Sequence, residues 1–105
     1  MPARRRHLGQ NFLQPAWAEH FVESADLHPG DLVLEVGAGS GSVTFALARH
    51  RVDVIALELD SIWAERLKGV ARSVGGSRIR VVRADALSFP LPTRPFRVVG
   101  NLPFV

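Results

Sequence analysis

The 105 residues include no cysteine. That excludes a disulfide framework, a thiolate metal site and a cysteine nucleophile. No apolar run reaches the length of a membrane span, and the opening MPARRRH (Met1–His7) lacks the apolar stretch of a secretory signal. The expectation is a cytoplasmic protein that does not enter a membrane. Internal repeats and low-complexity tracts are also missing. Lysine is scarce, since Lys68 is the single lysine among thirteen basic residues and the other twelve are arginine. Arginine is the side chain best suited to bidentate phosphate contacts. From Arg66 to Arg97 eight basic residues stand against one acid, Asp85, and Arg4, Arg5 and Arg6 form a second cluster. A polyanionic partner is favoured over a merely solvated basic face. The length allows one domain with a modest core.

The chain is organised around VLEVGAGSGS, Val33–Ser42. An apolar run carrying Glu35 stops at Gly37, Gly39 and Gly41 and restarts with helical spacing. This is the strand–loop–helix start of a nucleotide-binding α/β unit. Such a loop approaches a ligand closely and faces the positive end of the following helix.

Around it the spacing predicts a helix from Pro15 with Trp17, Phe21, Val22 and Ala25 inward and Glu19 and Glu23 outward. His28-Pro29-Gly30 turns the chain into a first strand, Asp31–Val36. A helix over Ser42–His50 then leads to a second strand, Asp53–Glu58. Asp60 or Ser61 caps a third helix with Ile62, Trp63, Leu67, Val70, Ala71 and Val74 inward. The third strand is Arg78–Arg83. After a proline-rich connection comes a fourth, Arg97–Gly100. This order implies a parallel α/β sheet whose ligand lies at the carboxyl ends of its strands. Glu35, Gly37, Glu58, Asp85 and Asn101 are all expected there.

Glu58 stands 21 residues after Gly37, where a carboxylate can accept both hydroxyls of a ribose. Asp85 could accept an exocyclic adenine amine, although by itself it reads better as a turn residue. The cofactor is therefore expected to contain adenosine. NAD is the rival, but Ser42 follows Gly41 where a third glycine would complete G-x-G-x-x-G. In Asn101-Leu102-Pro103-Phe104 the asparagine oxygen and the Leu102 carbonyl can accept the two hydrogens of a base amine while Phe104 stacks on the ring.

LGQNFL (Leu8–Leu13), LEVGAGSG (Leu34–Gly41), LELD (Leu57–Asp60), ADAL (Ala84–Leu87) and GNLPF (Gly100–Phe104) resemble, in order and spacing, the motifs of the ribosomal RNA adenine N6-methyltransferases. The similarity leans to the Erm type, which confers macrolide–lincosamide–streptogramin resistance. The sister branch dimethylates adenines of small-subunit (16S) RNA. The resemblance implies an α/β, Rossmann-like class I S-adenosylmethionine-dependent methyltransferase fold, incomplete at about four parallel strands. Residues 1–14 would be a basic leader with a cofactor-site motif, and residues 15–105 the N-terminal part of the catalytic domain. For S-adenosylmethionine it implies Gln10, Asn11, Leu13, Gly37, Gly39, Glu58, Leu59, Asp85, Ala86 and Asn101. It makes Asn101, Leu102 and Phe104 the catalytic set and assigns Arg4, Arg5 and Arg6 to RNA. Many relatives carry tyrosine at Phe104, so a hydroxyl contact would be missing and stacking kept. The implied partner is 23S ribosomal RNA before ribosome assembly, bound by a monomer without a metal ion. As a stretch of a longer enzyme, the 105 residues alone are expected to be inactive. The other readings are an NAD-binding dehydrogenase fragment and a non-catalytic RNA-binding module.

Overall fold

The structure, a computed structural model, describes residues 15–74 and 78–100. Helix α1 spans Pro15–Ser24, strand β1 Leu32–Val36, helix α2 Ser42–Arg49 and strand β2 Asp53–Leu57. Helix α3 spans Ser61–Ser73, strand β3 Ile79–Val82 and strand β4 Arg97–Gly100. The four strands form one parallel sheet in the order β3-β2-β1-β4. Three strands are shorter than the sequence predicts. Asp31, Glu58, Arg78 and Arg83 fall just outside them.

In a strand, alternate residues face opposite sides. Val33 of β1 lies beside Val54 of β2, and both belong to a buried core with Ala56. That core also takes Ala18 and Val22 from α1, Val43, Ala46 and Leu47 from α2, and Leu67 from α3. The three helices therefore share one apolar layer on one face of the sheet. On the other face Leu34 lies between Ile55 and Val98. Leu34 is buried and Val98 is 59% exposed, as the outer member of the row. β4 pairs with β1 alone among the described strands.

Two helices turn differently from the expectation. Trp17 and Phe21 lie outward on α1, while Ala18 and Val22 are buried. On α3, Ile62, Val70 and Val74 are exposed, and Ala64, Leu67 and Ala71 face the sheet. In both cases small side chains occupy the contact, because alanine lets helix and sheet approach closely at interior packing density. Glu19 is also not merely solvated. It pairs with Arg49 and His50 of α2, and the Arg49 hydrogen bond holds its carboxyl below the usual range.

Candidate active site

The loop between β1 and α2 is fastened to the carboxyl end of β2. Gly37 and Ala38 both donate their N–H to the Leu57 carbonyl, at 3.0 and 3.2 Å. Gly39, at φ 55°, is then turned so that its N–H meets a Glu58 carboxylate oxygen (Oε1) at 2.7 Å. The left-handed backbone there is what favours glycine. The second oxygen of Glu58, Oε2, accepts the Asp60 N–H at 3.0 Å. A carboxylate only 6% exposed is thus satisfied by two backbone donors where loop and strand meet. Gly41 begins α2 at φ 93°, and a Cβ there would lie 2.6 Å from Leu67 Cδ1 and 2.7 Å from Phe45 Cε2. Asp60 caps α3 as predicted, accepting the Ile62 and Trp63 N–H groups.

Glu35 is fully buried. Its Oε1 accepts the Thr44 hydroxyl at 2.5 Å, and its Oε2 has no partner among the described residues. Burial pushes its carboxyl up to about 8, with the nearby negative charge of Glu58 adding to the shift and the Thr44 hydrogen bond opposing it. Glu35 therefore points into the helix-covered layer rather than lining an open strand end. The Thr44 partnership was missed from sequence. Its signal is a hydroxyl in the first turn of the helix that packs over the strand acid.

Of the other expected cofactor contacts, Leu59 follows Glu58 and is 64% exposed, an apolar surface beside the carboxylate. Asp85 lies three residues beyond the end of β3 rather than on it. Its Oδ1 accepts the Leu87 N–H at 3.0 Å and its carbonyl accepts the Ser88 N–H. This is an Asx-type turn, the simpler of its two sequence readings. Ala86, half-buried, sits within that turn. The structure thus gathers Gly37, Gly39, Glu58 and Leu59 at one place. Gln10, Asn11, Leu13, Asn101, Leu102 and Phe104, with Arg4, Arg5 and Arg6, lie outside the described residues. A carboxylate against a glycine turn, with an apolar side chain beside it, suits a nucleoside: hydroxyls to the acid, a flat base to the leucine.

The whole chain, residues 1–105, matches the family described as ribosomal RNA adenine dimethylase. It is 47% identical over 102 residues to an rRNA methyltransferase of Streptomyces thermotolerans, covering 96% of this chain and 33% of that protein. To a ribosomal RNA small subunit methyltransferase A of Thermobifida fusca it is 42% identical over 104 residues, covering 92% of this chain and 36% of that one. Among solved structures, the 23S rRNA methyltransferase ErmE superposes with a TM-score of 0.74 at 34% identity, over 83% of this chain and 35% of that chain. A SAM-dependent methyltransferase from Aquifex aeolicus, 20% identical with a TM-score of 0.67, shares the fold. The chain spans about a third of the length of the curated relatives it matches. The sheet order is the one the motifs implied, and with the family match along its whole length this chain belongs to the ribosomal RNA adenine dimethylase family.

Proposed function

We propose that the protein carrying this chain is a cytoplasmic, monomeric S-adenosylmethionine-dependent methyltransferase of N6 in an adenine of 23S ribosomal RNA, acting before ribosome assembly and conferring macrolide–lincosamide–streptogramin B resistance. The observation that carries it is the Glu58 carboxylate held against the Gly39 N–H at the carboxyl end of a parallel sheet. S-adenosylmethionine, when bound, supplies an electrophilic methyl group on a sulfonium. Each Glu58 oxygen retains a lone pair beyond its backbone bond, so the carboxylate can accept ribose hydroxyls without releasing the loop. Leu59 offers an apolar face to the adenine ring, and Asp85 with Ala86 its edge. Gly37 and Gly39 keep side chains out of the path of the methionine part, which Gln10, Asn11 and Leu13 border.

The target amine is a poor nucleophile because its lone pair is delocalised into the ring. Asn101 and the Leu102 carbonyl would accept its hydrogens and favour a tetrahedral nitrogen, with Phe104 stacked on the base. Positioning of this kind supplies up to roughly 7–11 kcal/mol of a barrier. No general base is needed, since the methylated ammonium product loses its proton readily. In this reading residues 1–14 are a basic leader and residues 15–105 the first part of the cofactor-binding domain.

Similarity to the small-subunit enzyme of Thermobifida fusca supports a second reading, dimethylation of 16S RNA. One assay separates them: full-length protein, tritiated S-adenosylmethionine, and protein-free 23S or 16S RNA offered separately. Label at one adenine of 23S RNA is expected. Label confined to 16S RNA selects the second reading, and none in either overturns both.

A further inference from the structure

The arginine-rich run from Arg66 to Arg97 is divided by the fold, and part of it gathers where no site was expected. At the amino ends of the strands, opposite the glycine loop, Asp53 receives two guanidinium groups. Arg78 Nη1 lies 3.2 Å from its Oδ1, and Arg94 Nη2 lies 2.9 Å from its Oδ2. Arg78 also donates to the Arg51 carbonyl at 2.9 Å, and the Gly30 N–H donates to the same oxygen. Arg94 starts before β4 and reaches Asp53 of β2, so it crosses beneath β1, which lies between them. Beside it a cavity of about 370 Å³ is lined by His28, Asp31, Arg94, Phe96 and Arg97 among others.

The charge here does not cancel. Arg51, Arg78, Arg94 and Arg97 stand against Asp31 and Asp53. Asp53 is shared by two arginines, and one oxygen of Asp31 accepts the His28 N–H. Arg97 donates to the Ala25 carbonyl at 2.8 Å, and neither it nor Arg51 is ion-paired among the described residues. One bond uses one of a guanidinium's five donors, so most of each fork remains for an acceptor. Phosphodiester oxygens fit such a fork in geometry and sign.

We propose that this amino-end surface is a second RNA-contacting site, where Arg51, Arg94 and Arg97 hold backbone phosphates of the substrate away from the methylated base. The proposal rests on the RNA-methylating reading above. Contacts of this kind fix orientation and carry no sequence information. A five-residue strand spans roughly 17 Å. A folded RNA can therefore touch both ends of the sheet, and the second contact would set how the target stem approaches the glycine-loop end.

The test uses full-length protein and protein-free 23S RNA, with Kd followed from about 50 to 200 mM salt. Arg97→Gln keeps a donor for the Ala25 carbonyl and loses the charge, while Arg51→Gln removes a charge that makes no ion pair. Each is expected to make the slope of log K against log salt shallower by roughly 0.7–0.9 per contact. Affinity at low salt should fall about threefold per contact, with S-adenosylmethionine affinity and melting temperature unchanged and Arg97→Lys close to wild type. If Arg97→Gln lowers the melting temperature, the Arg51→Gln slope decides. Wild-type slopes in both variants, from a protein that binds and methylates RNA, overturn this proposal and leave the functional reading intact. A wild-type protein that neither binds nor methylates ribosomal RNA overturns both. Full displacement of the arginine-dependent binding by millimolar inorganic phosphate would make the cavity a free-phosphate site and overturn the RNA assignment.

Discussion

The two ends of the sheet handle charge in opposite ways. At the carboxyl end, Glu35 and Glu58 are buried and bonded to a hydroxyl or to backbone N–H groups. At the amino end, Arg78, Arg94 and Asp53 meet with side chains 39–52% exposed. Buried polar groups are worth most when fully bonded and cost most when a partner is removed. Exposed ion pairs are screened and contribute about 0–1 kcal/mol. The carboxyl end is therefore built to hold a shape. The amino end is built to present charge.

The largest expected effect sharpens that contrast at Gly41. Gly41→Ala would place a left-handed alanine against Leu67 and Phe45. Backbone strain of roughly 1–2 kcal/mol and overpacking of roughly 1–3 kcal/mol together predict a clear loss of stability in thermal or urea unfolding. A wild-type melting temperature would break the picture of a rigid carboxyl end.

Next is Glu58→Ala, which should weaken S-adenosylmethionine binding by roughly 1.5–3 kcal/mol, the worth of a charged hydrogen-bond partner. Isothermal titration of the full-length protein checks this. Unchanged affinity would leave Glu58 as a fastener of the glycine loop only.

Glu35 makes the comparison depend on pH. In the folded protein its carboxyl keeps a proton up to about pH 8, whereas the unfolded chain loses it near 4.5. Unfolding between those values releases a proton, so stability is greatest below about 4.5 and falls as pH rises towards 8. The slope is at most roughly 1.4 kcal/mol per pH unit. Glu35→Gln carries no titrating proton and should show a flatter profile, with urea midpoints at pH 5 and pH 8 closer together than in wild type. Equal slopes in the two proteins would mean that Glu35 is ionised in the fold.

The smallest effect is expected at the amino end. Asp53→Asn should cost less than about 1 kcal/mol, and the cost should shrink further in high salt. A loss of several kcal/mol would make Asp53 a structural centre equal to Glu58.

Much of the carboxyl end was legible in the sequence, for local reasons. The β-branched run, the glycines at alternate positions and the Asp60 cap act through residues within a few places of one another. The helix faces were less legible. Hydrophobicity favours Trp17, Phe21, Ile62 and Val70 as inward residues, but the contact is made by Ala18, Ala64 and Ala71, whose small size sets the spacing between helix and sheet.

By itself the sequence determined the order of strands and helices, the turn at Gly37–Gly41 and the acid that ends up beside it. Those features depend on backbone freedom and periodicity, which are properties of short stretches. Only the tertiary structure decided that Glu35 is sealed under Thr44, that Glu58 meets the N–H of Gly39, and that Arg78 and Arg94 share Asp53 from 25 and 41 residues away. These meetings depend on which strands become neighbours. That is settled when β1 is set between β2 and β4 and its helices close over one common core.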